Sequence, residues 1–559
     1  MKTRIRYDRI AIALVLLIII LWAFIFSIKS VIKMITKRGK EGFIAGTTNQ
    51  ITLYDENYKE SISVTRGQKV KLKGKTSNNN KEYYKIKYDG KEYLILKDNI
   101  ADSDNEIIKE KVMYVRTPLT VYKKLDSSEI LGYLPKNSEV NILGYDSFDE
   151  NGLVHKYKIK YEKGEGYVYG KYLLSNKDEA SKYYYAEKHE NISDTLGGGT
   201  ASKLDYYPVT KPKFEDNKMP TEVRALYLNV STIGKIDQYI EFAKENNINA
   251  FVVDIKDNTM PGYESKVFEK YSKTNYDNAA NTFDDYKKGI KKLKDTNFYV
   301  IGRITVFKDS FFVKDHPEVA IMDTTTNSPF NHNGSYWPSG FQRLVWEFNV
   351  ELAKEAVKEM GFNEIQFDYV RFPDRTINLE KQGVMDMNNT YNESKAEAIQ
   401  AFLMYATDEL HELGVYVSAD VFGECAHNYV TNYGQYWPAI SNIVDVISGM
   451  PYPDHFSAHE YEIPEVVWTV PYKVLSVWGE FVSKKQETIP TPAIVRTWIQ
   501  AYNTVKTPYV TYDANKISEQ LNALYENGLI GGYMTWNAGS SLSKYKEIKE
   551  AFKKEYKHE

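Results

Sequence analysis

From Val223 onward, short apolar runs alternate with amphipathic segments of helical period. Eight runs read as strands: Val223–Asn229, Asn249–Ile255, Phe298–Ile304, Glu364–Val370, Val415–Asp420, Val444–Ser448, Ala493–Trp498 and Ile530–Trp536. Helices fall between them, clearest at Gln342–Met360, Lys395–Leu413 and Asp513–Glu526. Gly361, Gly414 and Gly528 follow helical segments, where a left-handed terminating residue is favoured. Strands alternating with helices predict a parallel sheet. Eight such units predict an α/β fold, a (β/α)8 TIM barrel over residues 221–556. An open doubly wound sheet is the alternative, but no glycine-rich phosphate loop follows the first strand.

Ahead of the barrel the period changes to two, the signature of small antiparallel β units. The pattern repeats. Ile51-Thr-Leu-Tyr54 is echoed by Leu119-Thr-Val-Tyr122, Val70–Leu72 by Val140–Ile142, and Tyr84-Lys-Ile-Lys-Tyr88 by Tyr157-Lys-Ile-Lys-Tyr161. Two β domains are expected, at residues 45–106 and 110–175. Both resemble bacterial SH3-like domains, which implies a bound wall polymer such as peptidoglycan; they could equally be spacers. Residues 176–220 are punctuated by Gly197-Gly-Gly199, Pro208, Pro212 and Pro220. This segment reads as a linker or an extended arm packed on the barrel.

Residues 1–40 read as a cytoplasmic tail and a membrane anchor. Ile10–Ile28 is 19 residues without a charge, about the length that spans the hydrocarbon core as a helix. No small-x-small cleavage site follows it. Basic residues flank both sides, from Lys2 to Arg9 and from Lys29 to Lys40, so charge alone does not orient the span. The character of the later domains places the bulk of the chain outside, as a single-pass membrane protein.

Composition narrows the chemistry. The 559 residues suggest about three or four domains. Lys and Arg total 72 against 75 Asp and Glu, a net charge of −3, which argues against a nucleic-acid partner. Cys425 is the only cysteine, so no intramolecular disulfide or multi-cysteine metal site is possible. The nine histidines form no His-x-His pair. No metal and no cofactor are expected. Tyrosine is in excess, 46 against 24 Phe and 8 Trp.

Barrel active sites lie at the C-terminal ends of the strands. The polar and aromatic residues expected there are Tyr227, Asp254, Lys256, Arg303, Asp368, Tyr369, Arg371, Asp420, Glu424, Asp454, Arg496, Trp498 and Trp536. Acids, arginines and large aromatics together suit a sugar. Glycosidic cleavage needs two carboxyl groups flanking the bond. Strand seven offers no carboxylate, which favours a pair from strands four and five. A structural ion pair of Asp368 with Arg371 or Arg303 is the plainer reading of that aspartate.

Thr221-Glu-Val-Arg-Ala-Leu-Tyr-Leu-Asn229, Phe251-Val-Val-Asp-Ile-Lys256, Phe367-Asp-Tyr-Val-Arg-Phe-Pro373 and Ser418-Ala-Asp-Val-Phe-Gly423 resemble a family of glycosyl hydrolase barrels long listed as a domain of unknown function. The resemblance covers about residues 180–555. It implies a glycosidase-like barrel distantly similar to α-amylase-type enzymes, with a strand-four aspartate as nucleophile and a strand-five glutamate as acid. Asp368 matches the first. The second departs from the pattern, since strand five ends in Asp420 and Glu424 comes four residues later.

The expected function is a membrane-anchored glycoside hydrolase acting on a cell-wall or extracellular polysaccharide. Asp368, Asp420 and Glu424 are the catalytic candidates. Tyr227, Asp254, Lys256, Arg303, Tyr369, Arg371, Asp454, Arg496, Trp498 and Trp536 are the candidates for substrate binding. The alternative is a non-catalytic glycan-binding or scaffold protein on the same fold.

Overall fold

A computed structural model describes residues 15, 17–29, 40–162, 164–194 and 196–558. The predicted apolar span Ile10–Ile28 lies partly outside the described residues. Residues 17–29 are helical, and their large side chains, such as Trp22 and Phe26, are exposed. Among the described residues no helix is long and apolar enough to cross a membrane.

The chain forms two compact units, one of residues 1–116 and 136–180, the other of 117–135 and 181–559. In the first unit, Gln50–Tyr54 pairs antiparallel with Glu60–Thr65, and Lys69–Asn78 with Lys81–Tyr88. Alternate residues Ile51, Leu53, Val70 and Leu72 point into one core, as their period of two requires. A second set follows the same plan. Glu139–Tyr145 pairs antiparallel with Lys156–Tyr161, which pairs with Gly164–Tyr169. The boundary between units does not follow the repeats. The hairpin of Leu119–Tyr122 and Ile130–Leu134 belongs with the barrel, where the Tyr405 hydroxyl donates to the Ser128 carbonyl at 2.7 Å.

The second unit carries the barrel. Its strands are β1 (Val223–Leu228), β2 (Ala250–Asp257), β3 (Tyr299–Thr305), β4 (Glu364–Asp368), β5 (Tyr416–Phe422), β6 (Val446–Met450), β7 (Ile494–Val495 continuing as Thr497–Gln500) and β8 (Gly532–Trp536). All neighbours are parallel. β7 is divided at Arg496. Its first part pairs with β6 and its second with β8, and the Arg496 amide donates to the Ile447 carbonyl at 3.1 Å. This single strand therefore closes the ring. Where β8 meets β1, Gly532 has φ +100°, and an added Cβ would lie 1.9 Å from the Val223 carbonyl oxygen. Only glycine tolerates that approach.

The helices follow their local signals. Arg343–Met360 ends at Gly361 with φ 75°. Lys395–His411 starts at a reciprocal capping box of Ser394 and Glu397. Part of residues 176–220 contributes to the core of this unit. Ala201, Leu204 and Tyr206 are buried with Ala396, Val430, Tyr436 and Ala439.

Candidate active site

Alternation along the strands stacks the barrel interior in layers. On β4, Glu364, Gln366 and Asp368 occupy successive inward positions, and all three are buried. Glu364 sits at the N-terminal end. There both its oxygens accept from Arg496 Nη1, at 2.8 and 2.9 Å, and Oε2 also accepts from the Tyr299 hydroxyl at 3.0 Å. Gln366 lies in the middle layer, against Ser448 and Met534. Asp368 lies at the C-terminal mouth, where chemistry is expected in this fold.

At the mouth, β3 supplies Arg303, opposite Asp254 in the strand register. Arg303 is 1% exposed. Nη1 reaches Asp254 Oδ1 at 2.7 Å, while Nη2 and Nε reach Asp368 Oδ2 at 2.6 and 3.1 Å. The Tyr227 hydroxyl donates to Asp254 Oδ2. Burial pushes the Asp254 carboxyl up to about 6, against the opposing pull of Arg303. The Arg303 guanidinium packs over Tyr227 and the half-buried Trp536, 5.8 and 5.4 Å from the ring centres.

Asp368 Oδ1 accepts the Tyr369 amide at 2.6 Å. Tyr369 has φ 50°, a left-handed conformation that is an outlier for a bulky residue. Such strain collects at functional sites; here it turns the chain directly after the aspartate.

Asp420, on β5, is fully buried. Its Oδ1 accepts the Trp498 indole N–H at 2.8 Å. Its Oδ2 is buried without a partner among the described residues. Burial first, and then the charge of Asp368, raise its pKa well above the ordinary carboxylate value. Gln435 ties the two strand ends together, its Nε2 donating to the Asp420 and Val370 carbonyls at 3.1 and 3.3 Å.

Glu424 lies beyond β5 and is half-buried. Its oxygens accept from the Tyr429 and Tyr433 hydroxyls at 3.0 and 2.8 Å. It lines a cleft of about 750 Å³ together with Asp454, Tyr433, Phe456 and Lys506. Asp454 accepts from the Tyr502 hydroxyl at 2.8 Å.

The structure thus gathers Tyr227, Asp254, Arg303, Asp368, Asp420, Trp498 and Trp536 at one mouth. Three expected substrate contacts are placed elsewhere. Arg496 is fully buried against Glu364 at the opposite end of the barrel interior. Lys256 is buried 2.7 Å from Asp309, over the Phe348 ring at 5.0 Å. A register irregularity between Asp254 and Lys256 turns the lysine out of the interior alternation and onto the helix layer. Arg371 lies among the Phe422, Trp337 and Tyr433 rings, at 4.3, 5.1 and 5.6 Å, and donates to the Phe372 carbonyl at 3.0 Å. It therefore braces the loop after β4, and the ion-pair partner of Asp368 is Arg303. Gln435 and Trp337 come from loops, which carry no periodic signal in the sequence. Cys425 is a buried thiol, and burial raises its pKa. Among the described residues no group of three His, Cys, Asp or Glu side chains is placed to hold a metal ion.

A family model described as "Putative glycosyl hydrolase domain" matches residues 225–542. No curated protein matches the chain. Among solved structures, a hypothetical protein from Ruminiclostridium thermocellum is 35% identical, over 35% of this chain and 97% of that one, with a TM-score of 0.30. A chitobiase from Flavobacterium johnsoniae is 11% identical, over 59% of this chain and 48% of that one, with a TM-score of 0.38. A maltogenic α-amylase from Thermotoga neapolitana is 12% identical, over 60% and 77%, with a TM-score of 0.36.

Proposed function

The chain belongs to this glycosyl hydrolase domain family, its model spanning more than half of the sequence, and on that premise we propose a glycoside hydrolase that cleaves a cell-wall or extracellular polysaccharide. One observation carries the reading. Two acids on adjacent strands sit in contrasting surroundings: Asp368 is ion-paired with Arg303, while Asp420 is buried with Oδ2 unpartnered among the described residues, and burial and the charge of Asp368 raise its pKa. Surroundings this different can divide acid from nucleophile.

In this account Asp368 attacks or stabilises the anomeric carbon as the carbon–oxygen bond breaks. Asp420 passes its Oδ2 proton to the leaving oxygen. Water completes the reaction and returns a proton to the site. Arg303 holds Asp368 in place through two hydrogen bonds. Tyr227 and Asp254 hold Arg303, and Trp536 offers the sugar an aromatic face. Glu424 is the rival acid, favoured by its place in the wall of the open cleft. The apolar stretch Ile10–Ile28 supports a membrane anchor, and the β repeats support a hold on wall glycan outside the cell. New reducing ends from purified wall glycan strands, absent with Asp368→Asn, test the activity. Fractionation of cells tests the anchor.

A further inference from the structure

A second pocket, of about 680 Å³, adjoins the cleft, and His427 lines both. This is within the size range of ligand sites. Its walls come from the arm at Lys188–Ile192, the loop after β5 and the helix Pro471–Gln486. The lining holds Lys188, Lys484, Lys485, His189 and His427, and no Asp or Glu.

Among the described residues the buried cation of this pocket, Lys485, has no counter-charge. Lys485 is 9% exposed, and among the described residues its Nζ bonds only the neutral Asn428 Oδ1, at 2.5 Å. Burial pushes it down to about 8. Among the described residues neither Lys485 nor Lys188 has a carboxylate partner, whereas Lys484 pairs with Glu480. His189 is buried, stacked on Tyr206 with ring centres 3.9 Å apart. Its Nδ1 lies 2.9 Å from the Tyr436 hydroxyl, and its Nε2 has no partner among the described residues. A desolvated cation without a partner is costly, and an anion entering the pocket would remove that cost. The Tyr436 and Phe481 rings line the same space and suit a sugar face.

We propose that this pocket binds an anionic group, a carboxylate or a phosphate, carried by the glycan that fills the adjoining cleft. The glycan part rests on the hydrolase reading; the anion part does not.

The test titrates the full-length protein with glucuronate, glycerol phosphate and glucose in a calorimeter. At least one anion binds and glucose does not. Lys485→Gln weakens binding about tenfold or more, the scale of a lost hydrogen bond to a charged group, and Lys485→Arg restores much of it. Lys188→Gln, at an exposed position that folding does not depend on, weakens it about threefold. Binding of glucuronate alone assigns the carboxylate, and of glycerol phosphate alone the phosphate. Binding of neither anion, or binding that both glutamine variants leave unchanged, overturns the proposal. Asp368→Asn binds the anion as the wild type does. Anion binding without hydrolysis would therefore sink the hydrolase reading alone, and hydrolysis without anion binding would sink the pocket alone.

Discussion

Arg303 Nη2 and Nε both donate to Oδ2 of Asp368, at 2.6 and 3.1 Å, so one buried guanidinium fixes the position of the strand-four aspartate. The same guanidinium holds Asp254. Arg303→Ala leaves two carboxylates without their counter-ion, and breaking a buried pair this way costs about 3–5 kcal/mol. Denaturant melts should show a loss of that size. Arg303→Lys keeps the charge but cannot span both acids. It should fold and lose most activity. Activity close to wild type in the lysine variant would show that the bridge is structural only.

The proton donor is identified by the leaving group. Asp420→Asn keeps an acceptor for the Trp498 indole and removes the acid. Activity on glycan should fall about 10²–10⁴-fold, while an aryl glycoside with an acidic phenol, which leaves unprotonated, should be spared most of that loss. Glu424→Gln should lose far less on both substrates. The reverse pattern would move the acid to Glu424.

Asp254 gives a pH signature in stability. Its folded pKa of about 6 lies above the unfolded value of about 3.9, so the folded state binds the proton more tightly. That contribution is fully present below about pH 3.9 and is lost as pH rises through about 6. Relative to Asp254→Asn, the wild type should lose on the order of 3 kcal/mol between pH 4 and 7.5. Melts of both proteins at the two pH values read it. A difference that does not change with pH would contradict it.

Arg496 separates architecture from chemistry. Arg496→Met strands a buried Glu364 and should cost about 3–5 kcal/mol. At a temperature where it stays folded, KM should be unchanged. A raised KM with unchanged stability would return Arg496 to the substrate site.

Much of this arrangement was legible in the sequence, because interior positions of parallel strands carry their own pattern. Asp254, Arg303, Asp368 and Asp420 each end an apolar run, and each faces the mouth. What pattern could not supply was depth. Arg496 reads as a strand-end residue, yet it is the point where β7 changes partners and lies in the bottom layer with Glu364. Nor could pattern supply register. Lys256 sits two residues after Asp254 and should share its face, but the irregularity between them sends it to Asp309. Loop residues such as Gln435 carry no period, so the bond that ties β4 to β5 was invisible. The tyrosine excess is partly resolved: Tyr227 holds Asp254, and Tyr429 and Tyr433 hold Glu424.

The central claim is that Asp368 acts directly on a glycosidic bond. Full-length wild type and Asp368→Asn are incubated with purified wall glycan strands, and new reducing ends are counted over time. Steady release is expected from the wild type and about a thousandfold less from the asparagine variant, with both proteins melting cooperatively. Equal release by the two proteins would contradict it.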